Sequence, residues 1–128
     1  MSIFDNTNFN SNCNIMKTAS LTSNLTYGDS KPLISVLFET DTTKEIRIVM
    51  KANQVMKEHK TSYPITVELF DGELNFGVNG EVTKLVKGDI AALDANVHHD
   101  LIATKDSIIR LTLSKQDSVE RVVKVSEK

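Results

Sequence analysis

Histidine is the residue type in this chain best suited to chemistry near neutral pH, and two of the three histidines, His59 and His99, fall in or next to strand-like segments. A neutral imidazole can bind a metal ion or transfer a proton. A strand that presented a metal through His59 would carry a second ligand two residues later, on the same side of the sheet, and that residue is Thr61. His59 therefore needs a partner from another strand.

The neighbouring pair His98 and His99 offers one candidate for the interior. His99 shares its parity with Leu101 and Ala103, whereas His98 shares its parity with the acidic Asp100. Adjacent residues of a strand face opposite sides, so both histidines cannot reach one interior metal unless a bulge intervenes. We expect His99 inside and His98 at the surface. Two plainer interpretations stay open: an exposed polar His59, and a core His99 bonded to a backbone carbonyl.

The number of ligands limits the metal chemistry. Catalytic zinc and iron sites usually have three protein ligands, and this pattern supplies two inward histidines, His59 and His99. Glu58 and Asp100 have outward parity, and the hydroxyl of Thr61 is a poor ligand for these metals. We therefore expect a weakly held divalent metal (Zn, Fe, Mn or Ni) or a small molecule that also contacts Thr61. Without a metal, the two imidazoles could still act as acid and base.

The elements that must position these residues are strands. From Pro32 onward apolar and polar residues alternate with a period of two, and no stretch has a helical period. The pattern predicts eight or more strands at Leu33–Glu39, Glu45–Lys51, Pro64–Phe70, Glu73–Val78, Glu81–Val86, Ile90–Leu93, His98–Thr104, Ile108–Leu113 and Val119–Val125. Asp71-Gly72 and Asn79-Gly80 predict hairpins. So many strand edges favour a closed barrel or sandwich, so we predict an all-β fold.

The length of 128 residues suits one domain. Asparagine at every second position from Asn6 to Asn14 predicts a flexible or extended arm over residues 1–30, followed by a barrel domain over residues 31–128. Met56, like Met16 and Met50, is interpreted as pliable core or interface filling rather than as part of a cofactor site.

Charge and cysteine content exclude several function classes. Fifteen basic and 17 acidic residues, interspersed, give a net charge of −2, which argues against nucleic acid or an acidic membrane as the main partner. No window approaches a membrane span. Cys13 is the only cysteine, which excludes a disulfide framework and favours a reducing, cytoplasmic location.

Two stretches carry a family resemblance. Asn53 to Gly72 resembles the first cupin motif, G-x5-H-x-H-x3-E-x6-G, with His59 at the first histidine and with Thr61 and Ile65 in place of the second histidine and the glutamate. The second motif, G-x5-P-x-G-x2-H-x3-N, is matched at Gly88 and His99, whereas its other three positions are occupied by Asp94, Asn96 and Ala103. The resemblance covers roughly Ile46 to Leu113.

This resemblance implies a double-stranded β-helix, or jelly-roll barrel, of the small cupin type with an incomplete metal motif. It implies that His59 and His99 meet inside the barrel within about 5 Å, near enough to share a metal. We predict a cupin barrel that binds a small molecule or a weakly held divalent metal. The alternatives are a metal-dependent dioxygenase or isomerase and a non-catalytic dimerisation module. The resemblance and the doubly apolar strand Leu33–Glu39 predict a homodimer.

Overall fold

The structure, a computed structural model, describes residues 16–115. Nine strands run through this range: β1 Leu33–Glu39, β2 Thr43–Met50, β3 Val55–His59, β4 Ile65–Asp71, β5 Glu73–Val78, β6 Glu81–Val86, β7 Ile90–Leu93, β8 His99–Ala103 and β9 Ser107–Ser114. The predicted all-β class is confirmed. No helix long and apolar enough to cross a membrane occurs between residues 16 and 115.

The strands form two antiparallel sheets that enclose the core. One sheet has five strands in the order β1-β2-β9-β4-β7, and the other has four in the order β3-β8-β5-β6. Alternation directs one face of each strand inward, so that Ile46, Ile48 and Met50 of β2 are buried against Leu74 and Phe76 of β5 in one cluster. The long-range order places β3 beside β8, and with them His59 beside His99.

One strand within the described range was not predicted. β3, Val55–His59, lies between two predicted strands in a stretch to which no element was assigned. The predicted strand at 64–70 appears as β4, shifted by one residue. β3 has two successive charged residues, Lys57 and Glu58, which interrupt the alternation of apolar and polar residues that would indicate a strand. The predicted strand Val119–Val125 and the Asn-rich stretch from Asn6 to Asn14 lie outside the described residues.

The two predicted hairpin turns have different outcomes. Asn79 and Gly80 have φ angles of 51° and 83° and link β5 to β6 as an antiparallel hairpin, as expected. The prediction for Asp71-Gly72 is wrong, because β4 and β5 belong to different sheets and the turn carries the chain between them. Gly72 is needed there because its φ is 104° and a Cβ would lie 2.2 Å from Ser107 Oγ.

Residues 17–28 lie along the outer side of the five-stranded sheet. The Arg47 Nη1 atom donates to the carbonyl oxygen of Ser23 at 2.8 Å, and Gln54 Nε2 donates to that of Gly28 at 2.8 Å. Lys17 Nζ donates to the carbonyl oxygen of Glu39 at 2.7 Å. The described part of the N-terminal segment is thus bonded to the sheet. The division between an arm and a barrel at residue 30 stays a prediction.

Candidate functional site

The site is built on the pairing of β3 with β8. Met56 lies opposite Leu101 and His59 lies opposite His99, and the register shifts between these two pairs. In a regular strand, residues 56 and 59 would face opposite sides because they are three positions apart. The irregularity at Lys57 and Glu58 changes the parity, so Met56 and His59 both line the interior.

The two inward histidines meet, as the sequence predicts. The imidazole centroids of His59 and His99 are 4.3 Å apart, and the ring planes are inclined at 60°. The Phe76 ring meets His99 edge-on, with centroids 5.9 Å apart and planes at 90°. Phe76 therefore packs against the buried imidazole and helps to fix its orientation.

Both imidazoles are held through the same nitrogen. His59 Nδ1 lies 2.7 Å from the carbonyl oxygen of Lys57, and His99 Nδ1 lies 3.0 Å from that of Val97. Because a carbonyl oxygen can only accept a hydrogen bond, each Nδ1 carries the hydrogen and each neutral ring keeps its Nε2 lone pair. Histidines that bind metals usually donate their other N–H in this way. The plainer interpretation, a core His99 bonded to a backbone carbonyl, therefore accounts for Nδ1. It leaves Nε2 for a ligand.

The histidine pair faces a small apolar cavity of about 30 Å³, which is large enough for an ion or one to two water molecules. Its other walls are aliphatic, aromatic or thioether side chains: Ile48, Met56, Ile65, Val67, Phe76, Leu101, Ile109 and Leu111. No lining residue is acidic, lysine or arginine. His59 and His99 therefore supply the nitrogen atoms of an otherwise apolar site.

Burial keeps His99 neutral. The residue is 4% exposed, and removal from water lowers the pKa of His99 below its ordinary value of 6.5. The hydrogen bond to Val97 opposes that effect, and the proximity of His59 adds to it. His98 differs, since its side chain is 53% exposed and its Nδ1 lies 3.9 Å from Glu58 Oε1, outside the cavity. The predicted surface position of His98 is observed.

Thr61, the third predicted site residue, lies in the loop after β3 and not among the cavity walls. It is buried, with 8% exposure, and its Oγ1 donates to the carbonyl oxygen of Tyr63 at 2.9 Å. The Thr61 carbonyl accepts the amide of Asn96 at 2.7 Å. Because the strand ends at His59, parity no longer governs where Thr61 points. Its contact with a ligand stays a prediction, and its visible role is to tie the loops together.

The residues present fit a firmly bound divalent metal poorly. Within residues 16–115, no group of three or more His, Cys, Asp or Glu side chains is arranged to hold a metal ion. Glu58 and Asp100, the two carboxylates next to the histidines in sequence, do not line the cavity. A divalent ion here would keep its full charge among apolar walls, which is costly.

Met56 is the cavity residue that sequence reasoning placed only in the core. It does pack against the core, yet its thioether side chain also lines the histidine cavity. The three-residue spacing from Met56 to His59 concealed this, because a regular strand would separate them. Two successive charged residues, Lys57 and Glu58, interrupt the alternation here, but they do not identify a bulge.

Comparison with known proteins identifies the fold. An RmlC-like cupin from Desulfovibrio desulfuricans superposes with a TM-score of 0.70 at 19% identity, covering 77% of this chain and 96% of that one. An uncharacterised conserved protein with a double-stranded β-helix domain from Klebsiella pneumoniae gives 0.71 at 21% identity, covering 77% and 90%. This chain has the cupin fold. A cupin superfamily protein from Desulfitobacterium hafniense agrees, with a TM-score of 0.65 at 12% identity and coverage of 70% and 83%.

No protein-family model matches the chain, and no curated protein matches it. The cupin assignment therefore rests on three-dimensional similarity at low sequence identity, and it concerns the fold alone. Function has to be argued from the residues of this chain's own cavity.

Proposed function

We propose that this cupin binds a small molecule or a weakly held divalent metal in its barrel interior, through His59 and His99. One observation carries the proposal: two imidazoles lie 4.3 Å apart, each fixed through Nδ1 to a backbone carbonyl, with their Nε2 atoms left to a ligand. Two histidines that merely fill a core do not need to meet at a cavity. Orientation of both rings before a ligand arrives lowers the entropic cost of binding.

The weak affinity for divalent ions follows from charge. Neutral imidazoles compensate none of the metal's charge, and the cavity supplies no carboxylate. A metal such as Zn²⁺ would complete its coordination with water or ligand atoms. Acid would release it, because protonation removes the Nε2 lone pairs.

Binding is placed ahead of the dioxygenase or isomerase alternative for a physical reason. Both reactions, when metal-dependent, need an ion that stays bound through turnover, and the described residues supply two nitrogen ligands for it. Without a metal, His59 and His99 could still hold and transfer a proton at Nε2. The cavity of about 30 Å³ limits the proposed small molecule to about the size of one or two water molecules.

Elemental analysis and binding measurements on protein purified without chelator or metal-affinity tag test the proposal. We expect substoichiometric metal after dialysis and saturable Zn²⁺ binding that is abolished in His59→Ala and in His99→Ala. His98→Ala is the matched control, since this neighbouring imidazole points outward, and it should bind as the parent does. Binding that survives loss of both inward histidines would reject the proposal.

The assembly we propose is a homodimer formed through β1. β1 is an edge strand in which Leu33, Ile34 and Val36 are 37%, 37% and 51% exposed, and β2 is its paired neighbour among the described strands. Apolar residues on both faces of an edge strand are typical of a surface that a partner covers. We also propose a cytoplasmic location, because a single cysteine suits a reducing compartment.

A further inference from the structure

We infer that His59, His99 and Met56 form a site for a soft monovalent metal ion, cuprous copper. This inference rests on the proposed function, since it uses the same histidine pair, and it names the ion that the cavity is built to prefer. Three features carry it: the charge of the site, the thioether of Met56, and the bulge that lets Met56 line the same cavity as the imidazoles.

The charge of the site favours a monovalent ion. The cavity walls contain two imidazoles and apolar groups, with no carboxylate and no thiolate. The cost of moving an ion from water into such surroundings grows with the square of its charge, so a divalent ion pays about four times the cost of a monovalent ion of equal radius. A site that compensates no charge therefore discriminates against Zn²⁺ and Fe²⁺ and accepts Cu⁺ more readily.

The ligand atoms also favour a soft ion. Thioether sulfur selects cuprous copper among the common biological metals, and imidazole nitrogen binds copper as well. Cuprous copper accepts two or three ligands, so the absence of a third nitrogen or a carboxylate from the cavity wall is no defect for this ion. Both Nδ1 atoms donate to carbonyl oxygens, so the Nε2 atom of each ring is the one that can bind the ion.

The backbone irregularity in β3 accounts for the position of Met56 at the cavity. The register shift between Met56 and His59 lets both side chains line one cavity of about 30 Å³, which has room for a single small ion. The carbonyl of Lys57, inside the irregular stretch, is the acceptor that orients His59. The same local distortion thus brings Met56 to the cavity wall and supplies the carbonyl that sets the tautomer of His59.

The test uses the full chain, tag-free, with Cys13→Ser in every variant because a free thiol would bind Cu⁺ itself. Cu⁺ affinity is measured anaerobically, in ascorbate, by competition with the chromophoric chelator bicinchoninate, and Zn²⁺ affinity is measured in parallel. Met56→Leu removes the sulfur at nearly constant volume. Met50→Leu is the matched control, since Met50 is fully buried in the core but absent from the cavity wall.

We expect one tightly bound Cu⁺ per chain, with binding lost in His59→Ala and in His99→Ala. Met56→Leu should weaken Cu⁺ binding by about tenfold or more, leave Zn²⁺ binding within about twofold, and remove a sulfur neighbour from the X-ray absorption spectrum of bound copper. Met50→Leu should change none of these readouts.

Equal Cu⁺ affinity of Met56→Leu and the parent, or a copper spectrum without sulfur in the parent, would overturn the inference. If Zn²⁺ binding still depends on His59 and His99 in that case, the proposed function survives and only the cuprous site is rejected. If neither histidine affects the binding of either ion, both are rejected.

Discussion

At the scale of single residues, the two site histidines are oriented by the same kind of hydrogen bond. In His59 and in His99 the ring is fixed by the carbonyl oxygen of the residue two positions earlier, Lys57 and Val97 respectively. A backbone acceptor leaves no negative charge beside the imidazole, unlike a carboxylate partner. The two rings are therefore oriented by backbone carbonyl oxygens and not by carboxylate side chains.

The neutral state of His99 predicts a pH dependence of stability. Because burial lowers the pKa of His99 in the folded protein below its ordinary 6.5, the unfolded chain takes up a proton first as the pH falls. Full stability is present above about pH 6.5 and is lost as the pH falls through the lower pKa of the folded state. Urea unfolding in chelator should therefore give a lower free energy of unfolding at pH 5 than at pH 8.

His99→Gln should flatten this dependence between pH 8 and 5, even if it lowers stability overall, because glutamine does not titrate. His98→Gln is the control, and with its side chain 53% exposed it should leave the slope unchanged. A slope that is the same in His99→Gln and the parent would show that another group is responsible.

A second prediction concerns the ion-pair network on the outer face of the five-stranded sheet. Arg110 donates from Nε to Glu68 Oε1 at 2.8 Å and from Nη1 to Glu45 Oε1 at 2.9 Å, while Thr112 donates to the same Glu45 oxygen at 2.6 Å. These side chains are half-buried, so solvent screens the network only in part. Arg110→Met should lower the free energy of unfolding by about 1 kcal/mol or more, with a smaller loss in 1 M salt.

Lys115→Met provides the comparison for Arg110. It removes the pair between Lys115 Nζ and Glu39 Oε1, which is longer, at 3.5 Å, and more exposed. A pair of this kind contributes about 0–1 kcal/mol, so its loss should hardly be measurable. Equal effects of the two substitutions in urea unfolding would contradict the view that the network around Arg110 is special.

At the scale of elements, the connection between β4 and β5 gives a third prediction. Gly72 and Gly88 both have positive φ angles, 104° and 94°, but a Cβ at Gly72 would meet Ser107 Oγ at 2.2 Å and Asp106 O at 2.5 Å, whereas a Cβ at Gly88 meets nothing within 4 Å. Gly88→Ala should cost about 1–2 kcal/mol from backbone strain alone. Gly72→Ala should cost about 1–3 kcal/mol more, because Ser107 must move.

Thermal or urea unfolding of the two variants measures the difference directly, since the strain is common to both. Gly72→Ala and Gly88→Ala of equal stability would mean that the close approach of Ser107 to Gly72 relaxes at no cost. Ser107 would then contribute little to holding the turn, although its Oγ accepts the Glu73 amide at 3.1 Å.

The elements also show how far the sequence could be read. β5 and β6 were predicted with their observed bounds; in β5 half-burial imposes a period of two, and the Asn79-Gly80 turn separates the two strands. The inward position of His99 followed from the same parity, which it shares with Leu101 and Ala103. β3 escaped because Lys57 and Glu58 interrupt its pattern, and a bulge has no fixed residue signature. Asp71-Gly72 was misread because positive φ serves a turn between sheets as well as a hairpin.

The histidine site, too, could be predicted from the sequence only in part. That His59 and His99 would meet could be predicted from parity and motif position, but their common tautomer depends on the carbonyls of Lys57 and Val97, which sequence does not reveal. Thr61 was assigned to the interior by extending parity beyond the end of β3. Where a strand ends, loop hydrogen bonds decide orientation, and these are tertiary properties.

At the scale of the whole molecule, the two sheets differ in their number of strands, and this difference leaves apolar surface of the larger sheet exposed. Five strands pack over four, and β1 is at the edge of the larger sheet. Val36 pairs with the inward-facing Ile46, and Ile34 pairs with the inward-facing Ile48, yet Ile34 and Val36 are 37% and 51% exposed. The inner side of β1 thus extends past the smaller sheet. Burying such apolar area contributes about 25 cal/mol per Å².

A homodimer through β1 predicts that a charge on this surface separates the subunits. We expect light scattering at micromolar concentration to give twice the chain mass for the parent and a monomer for Val36→Glu, because a carboxylate would be buried without a partner. Val82→Glu is the matched control. Val82 is more exposed, at 68%, and lies on β6, at the far edge of the other sheet. The control should remain a dimer. A parent that is monomeric at this concentration, or a Val82→Glu variant that dissociates while Val36→Glu does not, would place the subunit contact elsewhere or remove it.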